Sequence, residues 1–373
     1  MKNLYPFFTF LSLTIAIAQN GAPASPYYNG FNFNLNGTAL KDALATKITS
    51  THTNMLTYSQ AENALRFTDL DPNDATNTNV LLVYGNSNNL CNYTSESDFG
   101  TSGDATFHRR RNKNADVTSS NLCAWNREHI FPQALGNPEL GQTGPGADVH
   151  MLRTCDVDRN SLRGNKLYGP GSGDAAVVGQ YWYPGDEWKG DCARIIMYMY
   201  LHYGEQCLPT STFSGTTVSS DFNMLDLVLQ WNAEDPVSQY EDNRNTYLSS
   251  TSTTFRQGNR NPFIDNPILA TKIWGGPIAQ NRWPTLGTTV PFTLEDVNAV
   301  TIYPNPSYGN VTIVSNVFIE DIQLISVHGQ IMREIKNPVF QNNSLTIDNL
   351  PKGLFFLRLS TEELSTTRKL IIN

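Results

Sequence analysis

Arg127, Glu128 and His129 stand in direct succession in the stretch WNREHIFPQ, in a chain with six histidines in all. An imidazole titrates near neutrality and can take a proton from water. A carboxylate beside it can hold a hard cation. Downstream, the stretch DVHMLRTCDVDRNSLRGN supplies His150, Asn160 and Arg163 in a polar, helix-compatible setting. Further on, Arg194 falls in the first turn of an apolar helix, where free N–H groups and the helix dipole favour anions. These residue types suit hydrolysis of a phosphodiester. That reaction needs a base for water, a charge to neutralise the phosphoryl oxygens, and a stabiliser for the leaving oxygen. Mg²⁺ tolerates few protein ligands and keeps several waters, so Glu128 and one amide oxygen, supplied by Asn160, would hold it. Mn²⁺ is the alternative cation. Taken alone, an adjacent Glu–His pair is more often a solvated surface feature.

Elements must place these groups. Leu40 to His52 has apolar spacing suited to a helix, and Asn79 to Gly85 (NVLLVYG) reads as a buried strand. Asp191 to Gly204 is the clearest helix, with Asp191 as a plausible N-cap and Gly204 as a stop. Its continuous apolar content predicts a central, buried position. Ser220 to Val237 reads as a further helix ended by the Asp235–Pro236 step. The first part of the chain is therefore α+β with much irregular loop. One difficulty follows from elementary geometry. Neighbours on a strand point to opposite faces, so Glu128 and His129 can serve one phosphate only at a strand end, a strong twist or a bulge.

Length and composition bound the answer. A chain of 373 residues suggests about two domains. Hydrophobic residues make up 39% and charged residues 16%, the latter low, with Asn, Ser and Thr taking the place of charge. The net charge of −8 argues in bulk against a nucleic-acid partner, because phosphate affinity comes from Lys and Arg. Local distribution matters more. FHRRRNKN (Phe107 to Asn114) gathers Arg109, Arg110, Arg111 and Lys113 into what reads as a basic loop, the candidate backbone contact. Met1 to Gln19 shows Lys2, an apolar run and Ala16-Ile17-Ala18, the pattern of a signal peptide cut after Ala18. No segment is long enough for a stable membrane span. The five cysteines are then expected in an oxidising compartment, and their odd number leaves at least one unpaired within the chain. The acidic run Asp69 to Asn79 lacks the turn glycine and final glutamate of an EF-hand and reads as a plain loop.

From Thr301 the texture changes to short alternating strands with Gly309, Gly329 and Gly353 at the turns, the pattern of a small all-β sandwich. The segments YPNP, VHGQ, LPKGLFFLRL and the terminal RKLIIN resemble the C-terminal sorting domain of the type IX secretion system of Bacteroidota. That resemblance implies export to the cell surface or medium, usually with removal of the tail, and the secretion machinery as a partner. The expected division is 1–18 signal peptide, 19–284 first domain, 285–300 linker and 301–373 sorting domain.

The first domain, in turn, carries NREHIFPQALG, ADVHMLRTCDVDRNSLRGN, WKGDCARIIMYMYLHYG, DPVSQYEDNRN and RQGNRNPFIDNPILATKIWG in that order. From about Tyr27 to Gly276 it resembles the bacterial endonuclease I family, secreted or periplasmic nucleases with a ββα-metal active site. The resemblance implies a fold with that motif, Glu128 and Asn160 as metal ligands for Mg²⁺ and His129 as general base. It also implies Arg194 as a phosphate contact, with Arg127, Arg153 and Arg163 as rivals. DNA, and RNA in many members, would be cut with little sequence preference, leaving 5′-phosphates. Arg109, Arg110, Arg111, Lys113 and Arg163 are the expected nucleic-acid contacts, and the protein is expected to act as a monomer. Two other classes compete. One is a zinc hydrolase using His129 and His150, although no H-E-x-x-H helix is present. The other is a non-enzymatic surface module exported by the same tail.

Overall fold

The computed structural model describes residues 26–90, 108–117, 124–283, 300–315, 319, 321–336, 338, 340, 344–360 and 365–373. The expected signal peptide, Cys91, Cys123 and nearly all of the expected linker lie outside these residues. Two separate apolar cores are present, one built from residues between Tyr28 and Trp283 and one from residues between Val300 and Ile372.

The first core collects helices and short strands. Helices α1 (Gly37–Thr51) and α2 (Tyr58–Thr68) come first, then strands β1 (Asn79–Leu81), β2 (Ser87–Leu90) and β3 (His108–Asn112). Strand β4 (Trp125–His129), strand β5 (Leu152–Asp156) and helix α3 (Val157–Arg163) follow as a unit. A hairpin, β6 (Ala176–Val178) and β7 (Tyr181–Tyr183), leads to helix α4 (Lys189–Tyr203). Then come β8 (Thr217–Val218), β9 (Asp221–Leu225), α5 (Asp226–Glu234), α6 (Gln239–Ser249), α7 (Pro262–Asp265) and α8 (Ile268–Trp274).

Helix α4 is buried from Gly190 to Leu201 and stops at Gly204, whose φ is 58°, as its all-round apolar sequence requires. Its N-cap is Trp188; Asp191 lies inside the first turn. The stretch expected as one helix from Ser220 begins instead as strand β9 and becomes helical only at Asp226. Of NVLLVYG, only Asn79–Leu81 is a strand. The following residues stay extended, with Leu82 N–H donating to Arg109 O at 2.7 Å and Val83 N–H to Thr154 O at 2.9 Å. Asp74 in the acidic run accepts from Thr76, Thr78 and Asn79, so that run is a self-bonded loop.

The second core is all β. Strands β10 (Thr301–Tyr303), β11 (Val311–Val314) and β14 (Ser344–Ile347) form one antiparallel sheet in the order β10-β11-β14. Strands β12 (Asp321–Ser326), β13 (Ile331–Lys336), β15 (Gly353–Ser360) and β16 (Ser365–Ile372) form another, ordered β13-β12-β15-β16. Along β15, Phe355, Leu357 and Leu359 point inward while Leu354, Phe356 and Arg358 are exposed. This is the period-two alternation of a sheet with one buried face. Gly309, Gly329 and Gly353 all have positive φ, as turn glycines.

Candidate active site

Strands β4 and β5 pair antiparallel, with Glu128 opposite Arg153 and His129 opposite Leu152. Helix α3 starts directly after β5, giving a ββα unit. Asp156 caps that helix, its Oδ1 accepting from Asp158 N–H at 3.0 Å and Arg159 N–H at 3.1 Å. Side chains of α3 then bind the backbone of β4 and its exit. Asn160 Nδ2 donates to Arg127 O at 3.1 Å and to Asn126 Oδ1 at 2.9 Å. Arg163 donates to His129 O and to Ile130 O, each at 2.9 Å. The register of β4 on β5 runs without a bulge to His129, the last residue of the strand. Of the three geometries that could relieve the Glu128–His129 conflict, the strand end is the one found.

The two faces of β4 carry different chemistry. On one, His129 Nε2 lies 3.1 Å from the carbonyl oxygen of Gly146. A carbonyl only accepts, so Nε2 carries the hydrogen and Nδ1 keeps a free lone pair. Gly146 sits so close to the chain at Gly141 that an added Cβ would stand 2.0 Å from Gly141 O; only glycine fits here. Burial, helped by Arg127 and Arg163 and opposed by the Gly146 bond, lowers the imidazole to about 4. It is therefore neutral at ordinary pH. The Tyr58 ring stacks on His129 with centroids 5.8 Å apart, and the Arg127 guanidinium lies 3.8 Å from the same Tyr58 ring. Arg127 also pairs with Glu62 at 3.0 Å and keeps about a fifth of its side chain exposed, at 20%.

On the other face, Glu128 is 2% exposed. Its Oε1 accepts from Tyr84 Oη at 2.9 Å and faces Arg163 Nη1 at 3.2 Å. Burial raises the Glu128 carboxyl to about 7, against the lowering effects of Arg163, Tyr84 and the His129 N–H. The Tyr84 hydroxyl, its own proton given to Glu128, accepts from the Tyr168 hydroxyl at 2.7 Å, and Ile130 O lies farther from the Tyr168 oxygen at 3.1 Å. Tyr84 has φ 68°, a left-handed conformation that costs a non-glycine residue roughly 1–3 kcal/mol. Nothing local in the sequence distinguishes Tyr58 and Tyr84 from the other tyrosines of the chain.

The expected arginine contacts need correction. Arg194 is 0% exposed; its guanidinium binds Glu241 (Nη2–Oε2 2.9 Å), Asp191 and Asp235 O. It braces α4 against α6 and is not available to a phosphate. The basic loop is strand β3, and each of its arginines faces a carboxylate: Arg109 on Glu187, Arg110 on Asp71, Arg111 on Asp156. Lys113 follows the strand, with Nζ 5.8 Å from the Phe67 ring. Arg163 is in the site but 1% exposed, so it holds Glu128 and the strand end and has no surface to offer a nucleic acid. Arg153 is also 1% exposed.

A second group was not foreseen. His52, Asp148 and His202 bring three ligand atoms within 4.8 Å of one another and form, among the described residues, the group of His, Cys and carboxylate side chains that could hold a metal ion. His52 Nδ1 and His202 Nε2 are 2.7 Å apart. Asp148 accepts from Tyr198 at 2.8 Å, Tyr203 at 2.9 Å and Gln257 at 3.0 Å. Burial works to raise this carboxyl, but His52, His150, His202 and Gln257 outweigh it and hold it at about 2. Three residues so far apart in sequence leave no spacing signal to read. His150 is buried on Asn259 O at 3.2 Å and is not part of that group, so the pairing of His129 with His150 as zinc ligands finds no support. Cys155, Cys192 and Cys207 are buried free thiols.

The ββα unit, with a histidine at its strand end and a glutamate and an asparagine beside it, is the motif that the sequence resemblance implied. Comparison with known proteins agrees. The family profile described as Endonuclease I matches residues 36–268, and that of the secretion system C-terminal sorting domain matches residues 301–373. The extracellular ribonuclease of Bacillus amyloliquefaciens is 36% identical over 275 residues, covering 71% of this chain and 83% of the relative. That of Bacillus subtilis (strain 168) is 35% identical over 277 residues, covering 70% and 84%. The chain belongs to the endonuclease I family: it is a secreted metal-dependent nuclease with a C-terminal type IX sorting domain. The surface-module alternative is thereby set aside.

Proposed function

We propose that this nuclease hydrolyses phosphodiester bonds of DNA and RNA with little sequence preference, His129 acting as general base and a divalent cation being held by Glu128 and Asn160. The observation that carries this reading is the His129–Gly146 bond, which leaves Nδ1 unprotonated at the end of β4. Nδ1 accepts the proton of the attacking water. The residues fit a hard cation. Glu128 Oε1 and Asn160 Nδ2 are engaged within the protein, so the donors they offer outward are a carboxylate and an amide oxygen, the set that suits Mg²⁺, with Mn²⁺ as substitute. When bound, the cation supplies charge neutralisation at the phosphate and the leaving 3′ oxygen.

The opposite orientation of Glu128 and His129 now acquires a use. In-line displacement places the nucleophile and the leaving oxygen on opposite sides of phosphorus. A phosphate across the end of β4 meets the base on one side and the oxygen ligands on the other. Products then carry 5′-phosphates. Arg127 replaces Arg194 as the phosphate contact, because it shares the His129 face of β4 and, though paired with Glu62, unlike Arg194 keeps part of its side chain exposed. The names of both Bacillus relatives support RNA as a substrate. The His52–Asp148–His202 group is the rival place for the catalytic cation, but its nitrogen donors suit a softer ion than Mg²⁺. We further infer that the protein acts as a monomer, with residues 19–284 as the nuclease unit, 285–300 as a linker and 301–373 addressing the type IX machinery after removal of a signal peptide.

The test is cleavage of supercoiled plasmid and of a structureless RNA, each with EDTA and with Mg²⁺ restored. Glu128→Gln should abolish the Mg²⁺-restored activity and His202→Ala should leave it. The reverse result would move the catalytic cation to the His52 group.

A further inference from the structure

We propose that Tyr84 is a positioning residue for the catalytic cation, acting through Glu128; this rests on the reading of Glu128 as a metal ligand. Tyr84 is fully buried and delivers its O–H to Glu128 Oε1 at 2.9 Å. With Arg163 Nη1 at 3.2 Å from that oxygen, one carboxylate oxygen is held by a hydrogen bond and an ion pair. The plane of the carboxylate is thereby fixed and Oε2 is left as the atom to meet the cation. Carboxylates that ligate metals are characteristically held by such donors.

The backbone shows that this placement is imposed. Tyr84 has φ 68°, and the chain on either side is pinned. Val83 N–H donates to Thr154 O at 2.9 Å on β5, and Gly85 O accepts from Trp188 Nε1 at 3.0 Å. Gly85 lies so close to β3 that an added Cβ would stand 2.4 Å from Arg109 Cα. The segment is thus clamped between β3 and β5, and the left-handed turn at Tyr84 directs the phenol under the end of β4. Behind it, the Tyr168 hydroxyl at 2.7 Å fixes the phenol oxygen itself. A tyrosine serving the core alone would need neither the strained turn nor a hydroxyl aimed at a carboxylate.

The experiment is calorimetric titration of the full chain with Mn²⁺ in the absence of nucleic acid, alongside cleavage across a range of Mn²⁺ concentrations. Tyr84→Phe keeps the ring and removes the donor. Its Mn²⁺ dissociation constant should rise roughly tenfold or more, while cleavage at saturating Mn²⁺ returns close to the wild-type rate. An unchanged dissociation constant overturns the proposal. If Tyr84→Phe does not fold, as judged by near-UV circular dichroism, Tyr168→Phe asks the same question without touching Glu128. A smaller rise in the same direction supports the proposal and no change overturns it. Glu128→Gln separates the two layers. If it still binds Mn²⁺ at this site, the ligand assignment falls and the Tyr84 proposal with it. If it loses binding while Tyr84→Phe does not weaken it, the Tyr84 proposal alone is overturned.

Discussion

In the proposed mechanism His129 works as a base only while Nδ1 is unprotonated, and Glu128 binds the cation only as a carboxylate. Burial moves the two groups in opposite directions, His129 down to about 4 and Glu128 up to about 7. The pH profile should therefore depend on metal. With Mg²⁺ limiting, cleavage falls as pH drops through about 7, where Glu128 in the free protein takes up a proton. With Mg²⁺ saturating, the carboxylate stays ionised, and the fall moves down toward pH 4, where His129 is protonated. Profiles at the two concentrations that superimpose would contradict these assignments. At the same scale, the arginines divide by burial. Arg127→Ala should lower kcat/KM by ~10-fold or more, as loss of a donor to a charged transition state does, with stability little changed. Arg194→Ala should instead destabilise the fold by about 3–5 kcal/mol, because it strands Glu241 in the core; urea denaturation and steady-state kinetics tell the two apart. The Glu128–His129 pair stands out in the sequence by its residue types, whereas Asn160, with Asn165 in the same stretch, stands out only through the family resemblance. Burial of Arg194 was not legible, because its Glu241 partner lies on a different helix.

The element that organises the site is α3. Its N-cap Asp156 accepts two helix N–H groups and also pairs with Arg111, whose side chain is 2% exposed. One carboxylate thus starts the helix that carries Asn160 and ties it to β3. Asp156→Asn keeps a capping oxygen but removes the charge that Arg111 pairs with. It should cost several kcal/mol, of order 3–5, compared with ~1 kcal/mol for the cap alone. A thermal-denaturation comparison with the Arg111→Met, Asp156→Asn double variant should show much of the loss recovered if the broken Arg111–Asp156 ion pair is the cause. This pairing explains why the basic run misled. Four cations in five residues read as a phosphate-binding loop, yet the three arginines take their carboxylates from Glu187, Asp71 and Asp156, which no local pattern connects to them. Helix α1 was legible from apolar spacing, and α4 from its continuous apolar content and the stop at Gly204. The switch from β9 to α5 at Asp226 was not, since DFNML and DLVLQW are both apolar enough for either structure.

At the scale of the whole molecule, the two apolar cores share no residue. Each buries its own side chains, so residues 26–283 should fold and cut nucleic acid without the tail. Expression of that piece and measurement of its Tm and plasmid-nicking rate check this, with values near those of the full chain expected. A piece that fails to fold would show that the tail contributes to the first core. Among the described residues no helix is long and apolar enough to cross a membrane. The net charge is −8, and Arg109, Arg110 and Arg111 of β3 are each paired with a carboxylate. Binding should accordingly fall with salt on a shallow slope, about one unit per phosphate contacted, and neutralising Arg110 should leave that slope unchanged.

The most direct test of the central claim is single-turnover cleavage by His129→Ala at saturating Mg²⁺, on protein shown by calorimetry to bind Mn²⁺ as the wild type does. With the base removed and the cation ligands intact, the rate should fall by ~10²–10⁴-fold. A His129→Ala protein that cuts at close to the wild-type rate would contradict the account.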